Sequence, residues 1–280
     1  MNILVIEGGG MKGYIPAVAV QQSLQNIKFD MYVGSSVGGI LAALYATGYN
    51  PGYVADIFPE MAEEGFKKRF WGRFTKGKYN ANAMQDVLSK FIKPHLKLNE
   101  FDNIGLSTVI ASESPAKNIL LTKENCLYSL LTALRMTYAA PFYFGYYTFQ
   151  GKTYADGGTG NSNLPLILTL VDLLKTKKIE ENVNIYSVGT GNYYQKRDVS
   201  KFGGFREAID FLGMSREQSE DTQIKLLSVI DCILPINHKH FDIDIKKKYD
   251  KLDKPEWGYY KEKGIELAEQ INLWRKNCQI

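Results

Sequence analysis

Residues 29–47 read FDMYVGSSVGGILAALYAT. Phe29–Val33 has the brevity and apolar character of a strand, and Val37–Thr47 is an apolar helix, joined to it by a glycine-rich turn. The same unit occurs once upstream. Asn2–Ile6 is an apolar strand, Gly8-Gly9-Gly10 follow, and Lys12–Leu24 carries apolar residues at helical spacing. Successive strand–turn–helix units place their strands parallel, with the helices crossing over on the faces. The expected fold class is therefore α/β: a three-layer α/β/α arrangement around a parallel-dominated central sheet.

Working outward, residues 51–95 read as mostly helical, interrupted by an aromatic and basic stretch. Ile104–Ser112 and Asn118–Thr122 are strand-like, and Tyr128–Tyr138 is a helix that stops before Pro141. Phe144–Phe149 and Thr153–Ala155 flank Gln150-Gly151, a hairpin signal. Asn184–Val188 reads as a late buried strand closed by Gly189-Thr190-Gly191. Beyond it the chain alternates helices (Phe205–Met214, Thr222–Cys232, Glu256–Trp274) with one short strand near Phe241–Ile245. No repeat or linker interrupts the 280 residues. One domain over 1–280 is expected, with its motifs in 1–191 and a helical C-terminal part in 192–280.

Gly34-Ser35-Ser36-Val37-Gly38 is a G-x-S-x-G between a strand and a helix. A serine on so sharp a turn is lifted above the sheet, and Gly34 and Gly38 let strand and helix approach closely. The helix from Val37 aims its N–H groups and its positive end at the same place. As a bare string the pattern also arises by chance. Gly8-Gly9-Gly10-Met11-Lys12-Gly13 follows the first strand, and its backbone N–H groups could form an oxyanion hole beside the serine. The same string fits G-x-G-x-x-G, with Asp30 at a distance suited to a ribose, so a dinucleotide-binding module is the rival. Asp156, in Tyr154-Ala155-Asp156-Gly157-Gly158, could reach the serine and take its proton without a histidine; D-G is also a common simple turn.

Taken together and in this order, GGGMKG, GSSVGG and ADGG resemble the patatin-like phospholipase family. Further likenesses are AAPFYF at Ala139–Phe144, the Asn-rich turn at Asn161–Pro165 and SVGTG at Ser187–Gly191, so the resemblance spans roughly residues 1–191. It implies a serine lipid acyl hydrolase in which Ser36 is the nucleophile and Asp156 the base. Gly8, Gly9, Gly10, Met11, Lys12 and Gly13 would form the oxyanion loop, Gly34 and Gly38 the elbow, and no metal or organic cofactor is called for. Glu7 departs from the aspartate most members carry before the glycines, but keeps its charge. Some members need an activating protein or nucleotide, and the resemblance leaves such a partner open, as it does a catalytically inactive lipid-binding protein. A Ser–His–Asp triad with Ser36, Asp156 and His238 or His240 suits the chain order. Its serine elbow, however, follows several strands, whereas Ser36 follows the second. His95, His238 and His240 are thus expected to be ordinary surface or loop histidines.

Composition narrows the class further. Hydrophobic residues make up 45% and charged residues 23% of the chain, the profile of a globular protein rather than a disordered one. A net charge of +4 is compatible with an anionic membrane surface and too small to argue for nucleic acid. Three scattered cysteines form neither a disulfide framework nor a metal pattern, and the N-terminus lacks a signal-peptide pattern, so a cytoplasmic setting is expected. No run approaches the roughly 20 apolar residues of a membrane span. The stretch FKKRFWGRFTKGKY at Phe66–Tyr79 mixes basic and aromatic residues without an acid. It could dock on anionic lipid, or its aromatics could pack inward.

Overall fold

The computed structural model describes residues 1–68, 77–176, 182–193, 205–230 and 233–278, the side chains of 205–213 and 278 excepted. Among these residues eight strands form one sheet: β1 (Asn2–Ile6), β2 (Met31–Ser35), β3 (Ile104–Ile110), β4 (Lys117–Leu121), β5 (Tyr147–Phe149), β6 (Lys152–Asp156), β7 (Val183–Val188) and β8 (Ile236–Phe241). Their order is β5-β6-β3-β2-β1-β7-β8, with β4 also paired to β3. β8, β7, β1, β2 and β3 run parallel, and the ladders of β3 with β4, β3 with β6 and β5 with β6 are antiparallel.

The helices are α1 (Tyr14–Ser23), α2 (Val37–Ala46), α3 (Pro51–Gly65), α4 (Ala81–Ser89), α5 (Leu130–Thr137), α6 (Leu166–Lys175), α7 (Phe205–Ile230) and α8 (Trp257–Cys278). β1 shows why they lie on both faces. Its side chains alternate, as strand geometry requires, but both sets are apolar. Leu4 and Ile6 enter the larger core, built with α1 to α5 and α8. Ile3 and Val5 enter a second core with Leu166, Leu170 and Leu173 of α6 and Leu227 of α7. The outcome is the expected α/β/α layering around a mixed sheet.

One feature of the sheet positions the site. β4 covers β3 along Leu106–Ile110, so β2 and β6 must share the opposite edge. β2 occupies that edge up to Ser35, opposite Ser107, and β6 takes it over at Asp156, opposite Thr108. The C-terminal ends of two strands far apart in sequence therefore meet head-on at adjacent positions of a third.

The hairpin forms as expected, with Gln150 at φ 47° and Gly151 at φ 75°, both in the left-handed region a two-residue turn needs. Two expectations are corrected. The late strand lies at Ile236–Phe241 rather than Phe241–Ile245, because INHKHF is a half-polar edge strand with little apolar signal. The two helices expected over 205–232 are one, α7, as far as residue 230. Helix α6 was not foreseen at all. Cys126 is buried and free; Cys232 and the Cys278 side chain lie outside the described residues, as does 69–76 of the aromatic–basic stretch. Of that stretch, Phe66 packs inward against Tyr79 and Phe144, while Lys67 and Lys68 are exposed. Among the described residues no helix is long and apolar enough to cross a membrane.

Candidate active site

Ser36 directly follows β2 with φ 54° and ψ −123°, a conformation non-glycine residues rarely hold and one that concentrates at functional sites. The packing around it dictates this turn. A Cβ on Gly34 would sit 2.2 Å from the Gly38 backbone, and one on Gly38 would sit 2.2 Å from the Ile6 carbonyl oxygen. Strand and helix thus touch main chain to main chain. The Ser36 N–H donates to Thr137 Oγ1 at 3.0 Å, which fixes the turn to the end of α5. Its side chain stays partly exposed. Among the described residues no side chain caps α2, so the positive end of that helix is left facing the serine.

Asp156 arrives on β6, held by its N–H to Ala139 O at 3.1 Å. Thr108 also braces this strand, its hydroxyl reaching Ala155 O at 2.8 Å and Met136 O at 3.0 Å. Asp156 is 5% exposed. Burial raises it from the ordinary 3.8 to about 6, against the opposing pull of the Ser36 hydroxyl hydrogen bond, the Gly158 N–H and the charge of Arg216. The Gly158 bond is 2.8 Å long. A carboxyl poised near 6 beside a serine on a strained turn can act as a proton acceptor at neutral pH.

The glycine loop packs beside this pair. Gly8 donates to Asn163 O at 3.3 Å, Met11 to Leu252 O at 2.8 Å, and Lys12 to Gly9 O at 3.2 Å, so these three N–H groups are engaged within the protein. Among the described residues the N–H groups of Gly9 and Gly10 have no acceptor. Gly10, at φ 59°, lines the same cavity as Ser36. The Lys12 side chain is fully buried and acts as a strut, donating to Gly191 O at 2.7 Å and Asp250 Oδ1 at 2.8 Å.

This loop is pressed against the protein itself. Cβ atoms added to Gly8, Gly9 and Gly10 would meet Asn163, Thr190 and Leu252 at 2.5, 2.2 and 2.3 Å. Asp30, the ribose partner of the dinucleotide alternative, instead accepts the Asn2 N–H at 2.7 Å. The histidines are also elsewhere. His238 and His240 lie on β8, separated from β2 by β7 and β1, and both contact Ser187 Oγ at 2.9 Å. They are half-buried strand residues rather than loop histidines, whereas His95 is exposed in a loop.

From Ser36 and Gly10 a narrow cavity of about 20 Å³ lies between α2, α3 and α4. Its wall is almost wholly apolar, with Ile40, Phe58, Met61, Ala62 and Met84 along it and Phe66, Tyr138 and Phe144 at one side. Outside it, Phe142 and Tyr146 are 52% and 58% exposed. The backbone of Lys78 and Tyr79 bonds Phe142 and Tyr143, and Lys68 bridges Tyr79.

Several residues that build the site could not be picked out from the sequence. Glu7 is buried beneath the glycines, with Asn163 Nδ2 at 2.8 Å and the Thr190 N–H at 2.9 Å. Burial pushes its carboxyl up, but Arg216, the hydrogen bonds of Glu220 and Thr190, and Lys12 together bring it below the ordinary value. Asn163 and Thr190 lay in the Asn-rich turn and SVGTG. Arg216, Glu220 and Asp250 come from the C-terminal part, where the one sequence signal was an Arg–Glu spacing of four.

The family model of patatin-like phospholipases matches residues 4–170. Patatin-07 of Solanum tuberosum is 27% identical over 267 residues, which cover 82% of this chain and 67% of that protein. Patatin-15 of the same plant is 28% identical over 247 residues, 75% of this chain and 62% of its own. The chain thus spans about two thirds of the length of these patatins. An uncharacterized protein of Acanthamoeba polyphaga mimivirus is 28% identical over 273 residues, 88% of each chain. Among solved structures, the ExoU–SpcU complex of Pseudomonas aeruginosa superposes with a TM-score of 0.48 at 12% identity, over all of this chain and 52% of that one.

Proposed function

Since the chain belongs to the patatin-like phospholipase family, we propose that it is a carboxylic ester hydrolase acting on acyl lipids, with Ser36 as nucleophile and Asp156 as base. One observation carries this reading: a serine in a strained turn stands beside a buried carboxyl raised to about 6, where β2 and β6 meet on one edge of β3 at the mouth of an apolar cavity.

In the acylation step the Ser36 oxygen attacks the ester carbonyl carbon while Asp156 accepts the hydroxyl proton. The carbonyl electron pair moves onto oxygen, where the Gly9 and Gly10 N–H groups and the N-terminus of α2 stabilise it. Collapse of the tetrahedral adduct breaks the bond to the alcohol, which leaves with the proton from Asp156. Water then attacks the acyl-enzyme with Asp156 again as base, releasing the fatty acid and restoring Ser36. The acyl chain enters along α3 and α4 as the apolar side chains lining the narrow cavity part to admit it, and the lipid headgroup stays outside. Lys67, Lys68, Phe142 and Tyr146 suit contact with an anionic bilayer at that rim, basic groups toward headgroups and rings at their level.

The experiment is a fluorophosphonate probe together with lipid mass spectrometry on mixed vesicles, for the parent protein and Ser36→Ala. Labelling and fatty-acid release should both vanish in the variant. Release that survives Ser36→Ala, or a parent protein the probe leaves unlabelled, refutes the reading.

A further inference from the structure

Glu7 has one methylene more than the aspartate expected before the glycines, and it reaches a second acid. Glu7 is 1% exposed, and Glu220 on α7 8%. Both lean on one donor: Asn163 Nδ2 lies 2.8 Å from Glu7 Oε1 and 3.1 Å from Glu220 Oε1. The same nitrogen is 3.1 Å from Gly8 O. Arg216 Nε is 3.5 Å from Glu220 Oε1, and Arg216 Nη2 donates to Asn192 Oδ1 at 2.9 Å. Lys12, the next cation, is committed to Asp250.

Around this pair stand Lys12 from the first loop, Asp156 from β6, and Asn163, Thr190 and Asn192 from the turns. His240 and Asp242 stand at the end of β8, Arg216 and Glu217 on α7, and Asp250 ahead of α8. Two buried carboxylates on one amide, beside one guanidinium, cannot both be ionised without strong repulsion, so they hold a proton between them.

We propose that Glu220 and Arg216 are positioning residues: through the shared proton, Glu7 and Asn163 they clamp α7 onto the glycine loop and hold the Gly9 and Gly10 N–H groups toward Ser36. The proposal rests on the hydrolase reading above. Removing the shared proton at high pH sets two carboxylates against each other, loosens the clamp and lowers turnover.

The test follows Ser36-dependent hydrolysis of a soluble short-chain ester from pH 5 to 10, and Tm over the same range, in the full chain and in Glu220→Ala and Glu220→Gln. Glu220→Ala should lose about tenfold or more in kcat. Glu220→Gln, which keeps the shape and neutrality of the protonated acid, should rescue it and abolish the parent's alkaline limb. Glu220 is pushed up from 4.5 to about 9, by burial first and then by the Glu7 charge. The folded state therefore binds the extra proton, and its stability falls as pH rises through that window. The Tm of Glu220→Gln should accordingly pull away from the parent's by about 2 °C per pH unit between 5 and 9. Coincident alkaline limbs, or a flat Tm gap beside normal hydrolysis, overturn this proposal alone. A widening gap with no Ser36-dependent hydrolysis in any form sinks the hydrolase reading, and the positioning role with it.

Discussion

Asp156→Asn should make the protein inactive and more stable at once, and the structure gives the size of both effects. The carboxyl titrates near 6 in the folded state, against an ordinary 3.8, chiefly because it is buried. A raised acid pKa means the folded state holds a proton the unfolded state has released, so stability declines as pH rises from about 4 to 6. Above pH 7 the full penalty is present, about 3 kcal/mol. Asparagine keeps an acceptor for the Gly158 N–H and carries no charge to desolvate, so the variant should recover most of it. For a domain of this size that is about 6 °C in Tm at pH 8. At pH 4 the two proteins should melt together. Turnover should fall by about 10² to 10⁴, the contribution of a general base, and kcat/KM of the parent should rise with pH through a midpoint near 6. The assays are differential scanning fluorimetry across pH 4–8 and hydrolysis of a soluble ester. A Tm gap that stays flat with pH shows that Asp156 is not a strained buried acid. An acid limb centred near 4, or a variant that keeps a tenth of the activity, refutes its role as base.

Much of this site was legible because close main-chain contacts force glycine, and glycine is visible in a sequence. Gly34 and Gly38 mark the contact of β2 with α2 and with the Ile6 carbonyl. Gly8 to Gly10 mark a loop pressed against Asn163, Thr190 and Leu252. The meeting of Ser36 with Asp156 was legible only as a resemblance, since nothing local states that β2 and β6 share one edge of β3. What escaped has a common cause as well. β8 alternates polar and apolar residues at a sheet edge, and α6 has an apolar run too short for its period to separate helix from strand. Glu220, Arg216 and Asp250 act across long sequence separations, and polar residues in a helix ordinarily mean solvent. Their partner Glu7 was read as keeping its charge; burial opposite Glu220 makes its length matter too.

Three further outcomes are expected. Replacing His238 and His240 by Gln should leave kcat within about tenfold, because both bond Ser187 on the far side of β1; a fall on the order of 10² or more would revive a histidine base. Lys67→Gln with Lys68→Gln should weaken binding to anionic vesicles about thirtyfold at low salt and leave soluble-ester hydrolysis unchanged; equal binding would move the lipid contact elsewhere. The last concerns acyl-chain length. Each methylene buried in the apolar cavity is worth about 0.8 kcal/mol, or about fourfold in kcat/KM, until the far wall is reached. A series of esters of increasing length should therefore rise steeply and then break. Met61 is 5% exposed, lies on α3 and lines that cavity. Met61→Ala removes three heavy atoms from the wall, at a cost of about 2–5 kcal/mol in stability, and should move the break outward by about three carbons. Short esters, which never reach Met61, should be hydrolysed at the parent's rate by the folded variant. A break that stays in place while Tm falls would mean that the cavity is a packing defect of the core and that the acyl chain lies along another surface.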